Sequence, residues 1–230
     1  AIGRWDPRPQ GVYQQVLLAN ADQAVFVFAC ANPNPKFRML DRFLVITEKQ
    51  KVPAVIIANK VDLVENAKEL FSLYESIGYR VLYTSTKTRV GLDELKAQLQ
   101  NKVSALAGPS GVGKSSLLNE IQPGLGLAVN EISTAMNKGR HTTVTRQMFA
   151  LDGSGYVADT PGWKSLALWD TSAEEMDAYF PELRDLVPQC QFSDCSHKHE
   201  PGCAVLAALK AGTVHPERYD SYLRLRAGQE

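Results

Sequence analysis

The 230-residue sequence predicts an α/β fold in which a mostly parallel sheet with helices on both faces is followed by a small helical domain. Two observations predict the sheet domain. Short apolar runs rich in branched residues recur along residues 21–170, and segments of helical periodicity separate them. From residue 171 the apolar runs stop, and several cysteines and histidines lie close together in the sequence. We expect a small helical domain over residues 171–230. Residues 1–20 show no sustained period, so we expect a linker or the remnant of an N-terminal domain.

The elements of the sheet domain alternate between strand and helix, with short connections. Continuous apolar runs of four to eight residues are typical of strands that are buried on both faces. The predicted strands are, in order, Ala24–Cys30, Val52–Ala58, Arg80–Thr84, Val103–Ala107, Val144–Leu151 and Tyr156–Ala158. The predicted helices are Phe37–Leu44, Val64–Ile77, Leu92–Leu99 and a helix that begins near Lys114, whereas residues 123–143 show no period.

The composition excludes several classes of protein. An apolar fraction of 44% and a charged fraction of 22% are ordinary for a globular chain and exclude a disordered or fibrous one. The 25 basic and 25 acidic residues balance, so no overall charge attracts the protein to nucleic acid or membrane. The longest apolar run, Ala24–Ala31, is far shorter than the roughly 18 residues that span a bilayer. We therefore expect no membrane partner, and we also expect a monomer.

A glycine-rich loop between a predicted strand and a predicted helix matches the pattern GxxxxGK[ST]. Its glycines allow backbone N–H groups to surround a phosphate, and the helix that follows adds the positive end of its dipole. Lys114 is expected to reach the β- and γ-phosphates, and Ser115 to bind Mg²⁺. The expected nucleotide contacts in this segment are Gly108, Ser110, Gly111, Val112, Gly113, Lys114, Ser115 and Ser116.

The segment Asn59-Lys60-Val61-Asp62 follows a buried strand, where a loop faces the ligand crevice of a parallel sheet. The Asp62 carboxylate can accept two hydrogen bonds from guanine, whereas adenine would leave it unpaired. Alone this tetrapeptide is a weak signal, but beside a phosphate loop it indicates a guanine nucleotide. Asn59, Lys60 and Asp62 are the candidate residues, and the segment around Ser85 is where a backbone N–H to the guanine O6 is expected.

The order of the motifs is unusual for a GTPase. Asp159-Thr160-Pro161-Gly162 ends the last predicted strand, where the carboxylate of Asp159 could hold a Mg²⁺-bound water and Gly162 N–H could meet the γ-phosphate. In ordinary GTPases the phosphate loop precedes the base-reading loop, whereas here it follows it. A domain tolerates that order when its original chain termini are joined and the chain is opened at another point, as in a circular permutation. The sequence therefore predicts a circularly permuted P-loop GTPase domain.

Three cysteines and a histidine lie within residues 190–203, with the spacing Cys190-x4-Cys195-x-His197-x5-Cys203. Three thiolates and one imidazole make up the ligand set of a closed, structural zinc site. His199 is a rival ligand. Because the tail is expected to have only short helices and little room for a core, a metal would supply folding energy directly.

The permuted order, together with the cysteine-rich tail, resembles the family of ribosome-small-subunit-dependent GTPase A proteins (RsgA, also called YjeQ). The matching sequence covers nearly all of residues 19–230 and includes Lys138-Gly-Arg-His-Thr-Thr143, Asp159-Thr-Pro-Gly-Trp163 and Pro201-Gly-Cys-Ala-Val205. The resemblance implies a cytoplasmic GTPase that acts with Mg²⁺ and one zinc in late maturation of the small ribosomal subunit and contacts its rRNA. It also implies that Thr142 or Thr143 faces Mg²⁺. The family's N-terminal OB-fold domain does not fit into residues 1–20, so we expect it to lie outside this sequence.

Three functional hypotheses remain open. The first is a GTP hydrolase that a ribosomal particle stimulates, and in which the nucleotide state is coupled to the zinc domain. The second is a nucleotide-gated module that binds RNA or the ribosome and hydrolyses GTP only incidentally. It survives because Trp163 stands where many GTPases have a glutamine that orients water, which leaves His141 as the candidate for that role. The third, a permuted GTPase of the large subunit, is disfavoured by the zinc ligands.

Overall fold

The structure is a computed structural model that describes residues 2–5, 14–18, 20–125, 127, 147–159 and 171–229. Its main feature is a six-stranded sheet, and the chain also forms a separate antiparallel pair of strands. The strands are β1 (Ile2–Trp5), β2 (Gln14–Leu18), β3 (Gln23–Ala29), β4 (Ala54–Asn59), β5 (Arg80–Thr84), β6 (Val103–Ala107), β7 (Gln147–Ala150) and β8 (Tyr156–Asp159).

The six-stranded sheet has the order β5-β4-β3-β6-β8-β7, and every neighbouring pair is parallel except β7 and β8. β3 lies between β4 and β6, and all seven of its residues are buried. A central strand that is covered on both faces needs apolar side chains on both, which explains its uninterrupted apolar run. The predicted α/β fold with a mostly parallel sheet is confirmed.

The helices that follow β3, β4, β5 and β6 are α1 (Phe37–Gln50), α2 (Ala67–Ile77), α3 (Leu92–Leu99) and α4 (Lys114–Ile121). α3 and α4 begin where they were predicted, whereas α1 continues six residues beyond the predicted Leu44. α2 begins three residues later than expected, because Val64 is extended after the short 3-10 turn Val61–Leu63. It ends at Gly78, whose φ of 106° is a left-handed conformation that glycine adopts without steric cost.

The chain divides into two compact units. The first contains Ala1–Lys36 and Val52–Leu166, and the second contains Phe37–Lys51 and Ala167–Glu230. Helix α1 therefore belongs to the second unit, although it connects β3 and β4 of the first. Its sequence pattern had placed it within the sheet domain of residues 21–170.

The second unit contains α1 and the short helices of the tail. These are the 3-10 turns Met176–Tyr179 and Val187–Gln189 and the helices α5 (Pro181–Arg184), α6 (Ala204–Lys210) and α7 (Pro216–Arg226). Its core includes Val45 of α1, Phe180, Val205 and Tyr222, together with two of the tail cysteines. The predicted small helical tail is thus observed, with a helix from much earlier in the chain added to it.

One other segment differs from its prediction. β1 and β2 pair antiparallel within residues that we expected to be a linker or remnant. Of the strand predicted over Val144–Leu151, β7 covers Gln147–Ala150, and residues 144–146 lie outside the described residues. Of the loop predicted over residues 123–143, only the turn Pro123–Leu125 and Leu127 are described. In the described part of the chain, no helix combines the length and apolarity needed to cross a bilayer.

Candidate nucleotide and metal sites

The phosphate loop connects the end of β6 to the start of α4. Gly108 adopts a φ of 156°, and a Cβ atom there would lie 2.1 Å from the carbonyl oxygen of Val27. Gly113 adopts a φ of 97°, and a Cβ atom there would lie 2.5 Å from the side-chain amide of Asn59. Both glycines are therefore required, the first by the central strand and the second by the base-reading loop.

The ammonium of Lys114 lies over its own loop, where Nζ donates hydrogen bonds of 2.9 Å to the carbonyl oxygens of Gly108 and Pro109. Lys114 and Ser115 are both buried in the first turn of α4. The loop thus combines a positive charge with the N-terminus of an eight-residue helix, an arrangement that suits an anion. The remaining predicted contacts, Ser110, Gly111, Val112 and Ser116, lie in the same loop and helix start.

Asn59 joins the base-reading loop to the phosphate loop. Its Nδ2 donates to the carbonyl oxygen of Val112 at 2.8 Å, and its Oδ1 accepts from the hydroxyl of Thr84 at 3.0 Å. Asn59 is 1% exposed, so both of its polar ends are satisfied inside the protein. Lys60, in a left-handed conformation with φ 62°, adds a second link by donating to the carbonyl oxygen of Gly111 at 2.7 Å.

Ser85 contacts Asp62 through its side chain. Its hydroxyl donates to Asp62 Oδ1 at 2.6 Å and accepts from the backbone N–H groups of Lys87 and Thr88 at 3.2 and 3.1 Å. The backbone N–H of Ser85 donates to the carbonyl oxygen of Val90 at 3.1 Å. The sequence analysis did not predict this hydrogen bond between Ser85 and Asp62, which orients the carboxylate.

Cys30 lies at the end of β3, beside these loops. It is 4% exposed, and burial raises the pKa of its thiol to about 11, with a further rise from the charge of Asp62. A thiol with that pKa carries almost no thiolate at neutral pH. Cys30 is therefore a buried thiol of low reactivity.

Asp159 ends β8, whose backbone pairs with β6 so that Asp159 stands opposite Leu106. The phosphate loop begins two residues after Leu106, so Asp159 lies at the edge of the sheet from which that loop emerges. The other predicted catalytic positions, His141, Thr142, Thr143 and Gly162, lie outside the described residues, as does Trp163.

The four predicted zinc ligands converge in the second unit. The ligand atoms of Cys190, Cys195, His197 and Cys203 all lie within 4.8 Å of one another. His197 Nδ1 is 3.3 Å from Cys203 Sγ and 3.6 Å from Cys190 Sγ. The rival His199 is exposed and is not part of this group.

The chemistry of this donor set fits a zinc ion. Burial raises the pKa of the Cys195 thiol to about 12, so a bound cation is what would convert this buried thiol into a thiolate. The second ring nitrogen of His197, Nε2, lies 3.2 Å from a carboxylate oxygen of Asp177. Such a carboxylate fixes the tautomer and orientation of a metal-binding imidazole. The sequence analysis missed Asp177, because its separation of 20 residues from His197 carries no recognisable spacing.

These loops on one permuted sheet define the protein as a circularly permuted GTPase. The chain belongs to the RsgA GTPase family, whose family model matches residues 6–169. It is 48% identical over 221 residues to the small ribosomal subunit biogenesis GTPase RsgA of Gemmatimonas aurantiaca, covering 95% of this chain and 72% of that protein. It is 47% identical over 211 residues to the protein of the same name from Moorella thermoacetica, covering 91% and 73%.

Solved structures agree with this assignment. The crystal structure of YjeQ from Thermotoga maritima matches with a TM-score of 0.79 and 39% identity, over 92% of this chain and 72% of that one. The crystal structure of YloQ, described as a circularly permuted GTPase, matches with a TM-score of 0.72 and 36% identity, over 91% and 68%. The predicted family and the predicted fold class are both confirmed.

Proposed function

We propose that this protein hydrolyses GTP during late maturation of the small ribosomal subunit in the cytoplasm, and that its nucleotide state is coupled to the zinc-binding tail. The observation that carries the nucleotide part is the direct link from Asn59 to the phosphate loop at 2.8 Å. That link holds a base-reading carboxylate and a phosphate-binding loop in one fixed arrangement, as a guanine nucleotide requires. The proposed site of action, the small ribosomal subunit, comes from the names of the two RsgA relatives.

Base recognition is assigned to Asp62, whose carboxylate accepts from the guanine N1–H and 2-amine. Its hydrogen bond with Ser85 at 2.6 Å orients the carboxylate before the base arrives. Because the N–H groups of Ser85, Lys87 and Thr88 bond within the loop, we assign the guanine O6 contact to the backbone N–H of Thr86.

Phosphate binding is assigned to Lys114 and to the backbone amides of residues 108–116. Ser115, in the first turn of α4, would hold Mg²⁺ through its hydroxyl, and Asp159 would hold a water of that ion from the end of β8. Mg²⁺ supplies charge neutralisation at the phosphate oxygens during phosphoryl transfer. Thr142 or Thr143 is assigned to the same ion, and the N–H of Gly162 to the γ-phosphate.

His141 is assigned to positioning the attacking water, because the indole of Trp163 offers one donor and no acceptor. An imidazole whose pKa is near neutrality can accept a hydrogen bond from that water. The proposed domain division gives residues 21–170 to nucleotide chemistry and residues 171–230 to zinc binding.

Chain connectivity supports the proposed coupling to the zinc-binding tail. The second compact unit joins the first after Lys36, before Val52 and after Leu166, so three connections leave the sheet unit. The last of these follows Gly162 within a few residues. Loss of the γ-phosphate at Gly162 would thereby act on the start of the second unit's C-terminal segment, a local change with a distant effect.

The test is phosphate release from GTP, measured without particles and with purified small or large ribosomal subunits. We expect slow turnover alone and strong stimulation by the small subunit only. GTP-dependent binding to the small subunit without any stimulation would support the nucleotide-gated module instead. Stimulation by the large subunit alone would contradict the proposed partner. Footprinting of the 16S rRNA in the complex would test the proposed RNA contact.

A further inference from the structure

A carboxylate that does not belong to the four-ligand group organises the loop that carries two of the zinc ligands. Glu200 Oε1 accepts hydrogen bonds from the backbone N–H of Ser196 at 2.8 Å and from the Ser196 hydroxyl. Its Oε2 accepts from the backbone N–H groups of Lys198 and His199 at 2.9 and 3.0 Å. One carboxylate thus accepts four hydrogen bonds from the loop between Cys195 and Glu200.

The loop needs such a partner because of its backbone conformation. His197 adopts a φ of 59°, in the left-handed region that a non-glycine residue rarely occupies. This turn directs the neighbouring N–H groups to one point, where Glu200 receives them. The carbonyl oxygens are held separately, since the Tyr219 hydroxyl donates to His197 O at 2.6 Å and the Tyr222 hydroxyl donates to Ser196 O at 3.1 Å.

We propose that Glu200 is a positioning residue of the metal site, which holds Cys195 and His197 in their ligating arrangement and thereby sets the affinity for zinc. The inference rests on the proposed zinc site. Ser196 lies between the two ligands, and Glu200 binds both its N–H and its hydroxyl. Fixing the loop before the ion binds removes part of the conformational entropy that ordering would otherwise cost at that step. Partners that orient metal ligands typically change metal affinity by about 10- to 100-fold.

The experiment measures zinc affinity of the whole chain by competition with a chromophoric chelator, and the absorption spectrum after substitution with Co²⁺. Glu200→Gln keeps the size of the side chain, but its NH₂ group would face N–H donors that now need an acceptor. We expect about 10- to 100-fold weaker zinc binding and altered Co²⁺ ligand-field bands. Asp194→Asn is the matched control, because it removes the same charge from an exposed position beside Cys195. The zinc affinity of this variant should stay within about twofold of the unaltered protein, as expected for the loss of a screened surface charge.

Each outcome bears on one proposal. If the unaltered protein binds no zinc, the proposed metal site is wrong and the function of Glu200 falls with it. If the unaltered protein binds zinc and Glu200→Gln binds it equally, or if Asp194→Asn loses as much affinity, the positioning function is overturned. Ser196→Ala removes only the hydroxyl contact and should weaken zinc binding by roughly threefold or more. Unchanged affinity in Ser196→Ala would overturn the proposal even if Glu200→Gln fails to fold.

Discussion

At the residue scale, the proposed base selectivity depends on the Asp62 carboxylate, to which the Ser85 hydroxyl donates a hydrogen bond. Asp62→Asn replaces one acceptor oxygen by a donor, which suits the 2-oxo group of xanthine and opposes the 2-amine of guanine. We expect GTP affinity to fall by at least tenfold and xanthosine triphosphate to become the better ligand, because an unpaired buried polar group costs roughly 1–3 kcal/mol. Competition binding of the two nucleotides measures the change.

The control for that substitution is Asp93→Asn, at an exposed position in the first turn of α3. It should leave the ratio of the two affinities unchanged. Retention of wild-type GTP preference in Asp62→Asn would show that the base binds elsewhere.

Lys114 is the second residue on which the proposed chemistry depends, since its ammonium is the only charged group that the described phosphate loop itself carries. Lys114→Ala should lower stimulated turnover by at least about 100-fold, because preorganised positive charge is a major source of transition-state stabilisation in phosphoryl transfer. The far-ultraviolet circular dichroism should be unchanged. Lys96→Ala, on the exposed face of α3, is the control and should retain full turnover. Wild-type phosphate release from Lys114→Ala would remove the loop from the mechanism.

At the scale of the element, α1 is held in the second unit by a buried ion-pair network. Arg218 of α7 is 1% exposed and donates to Asp41 of α1 at 2.6 Å and to Glu182 of α5 at 2.6 Å. The hydroxyl of Ser221 also donates to Asp41, and the Arg218 guanidinium lies 4.5 Å from the centre of the Phe180 ring. This network gives the second unit a polar centre that depends on one guanidinium.

Arg218→Met should therefore destabilise the second unit by about 3–5 kcal/mol, because it removes the buried guanidinium that pairs with Asp41 and Glu182. Urea unfolding of that unit, followed by limited proteolysis of the tail, measures the loss. Arg38→Ala breaks an ion pair with Asp220 whose side chains are 69% and 55% exposed, and it should cost less than about 1 kcal/mol. Equal stability in the two variants would contradict the structural importance assigned to the network.

Sequence patterns predicted most elements because their own residues determine them. β5, α3 and β6 begin and end where apolar periodicity and turn residues place them. The grouping of α1 was not predictable in the same way, since an amphipathic pattern shows that a helix has an apolar face but not which unit covers it. The burial of Asp41 on α1 became visible only in the structure. β1 and β2 were missed because each is a short segment without a sustained period, and their pairing with each other makes them strands.

At the scale of the whole molecule, the candidate sites were predictable where ligand chemistry fixes a spacing. The phosphate loop, the proposed base-reading loop and the four proposed zinc ligands each have such a spacing. The structure joins the two loops through a hydrogen bond and brings the four candidate ligands together. Residues that act through others, such as Ser85 on Asp62 and Asp177 on His197, have no fixed spacing and emerged only from the fold. The permuted order could be recognised because each motif keeps its own residues wherever it stands in the chain. The fold accepts that order because strand neighbours in a sheet depend on pairing and not on chain order.

Removal of zinc tests how far the two compact units are independent. The core of the second unit includes Cys195 and Cys203, so loss of the ion would leave buried thiols without the partner that joins them. Chelation, or Cys195→Ser, should make residues 171–229 sensitive to protease and speed their amide hydrogen exchange. β3, β4 and β6 belong to the first unit, and their exchange rates and the affinity for GTP should change by less than about threefold.

The matched control for Cys195→Ser is Cys30→Ser, because Cys30 is also buried but lies in the first unit. That variant should still bind zinc, and its tail should remain resistant to protease. The substitution only places a hydroxyl among apolar side chains of the first unit. The proposed coupling adds one further expectation. In the metal-free protein, stimulation by the small subunit should be lost while unstimulated turnover persists, because the signal from the γ-phosphate would have no ordered tail to act on. Full stimulation of a chelated protein whose tail is demonstrably unfolded would exclude the zinc domain from the response to the ribosome.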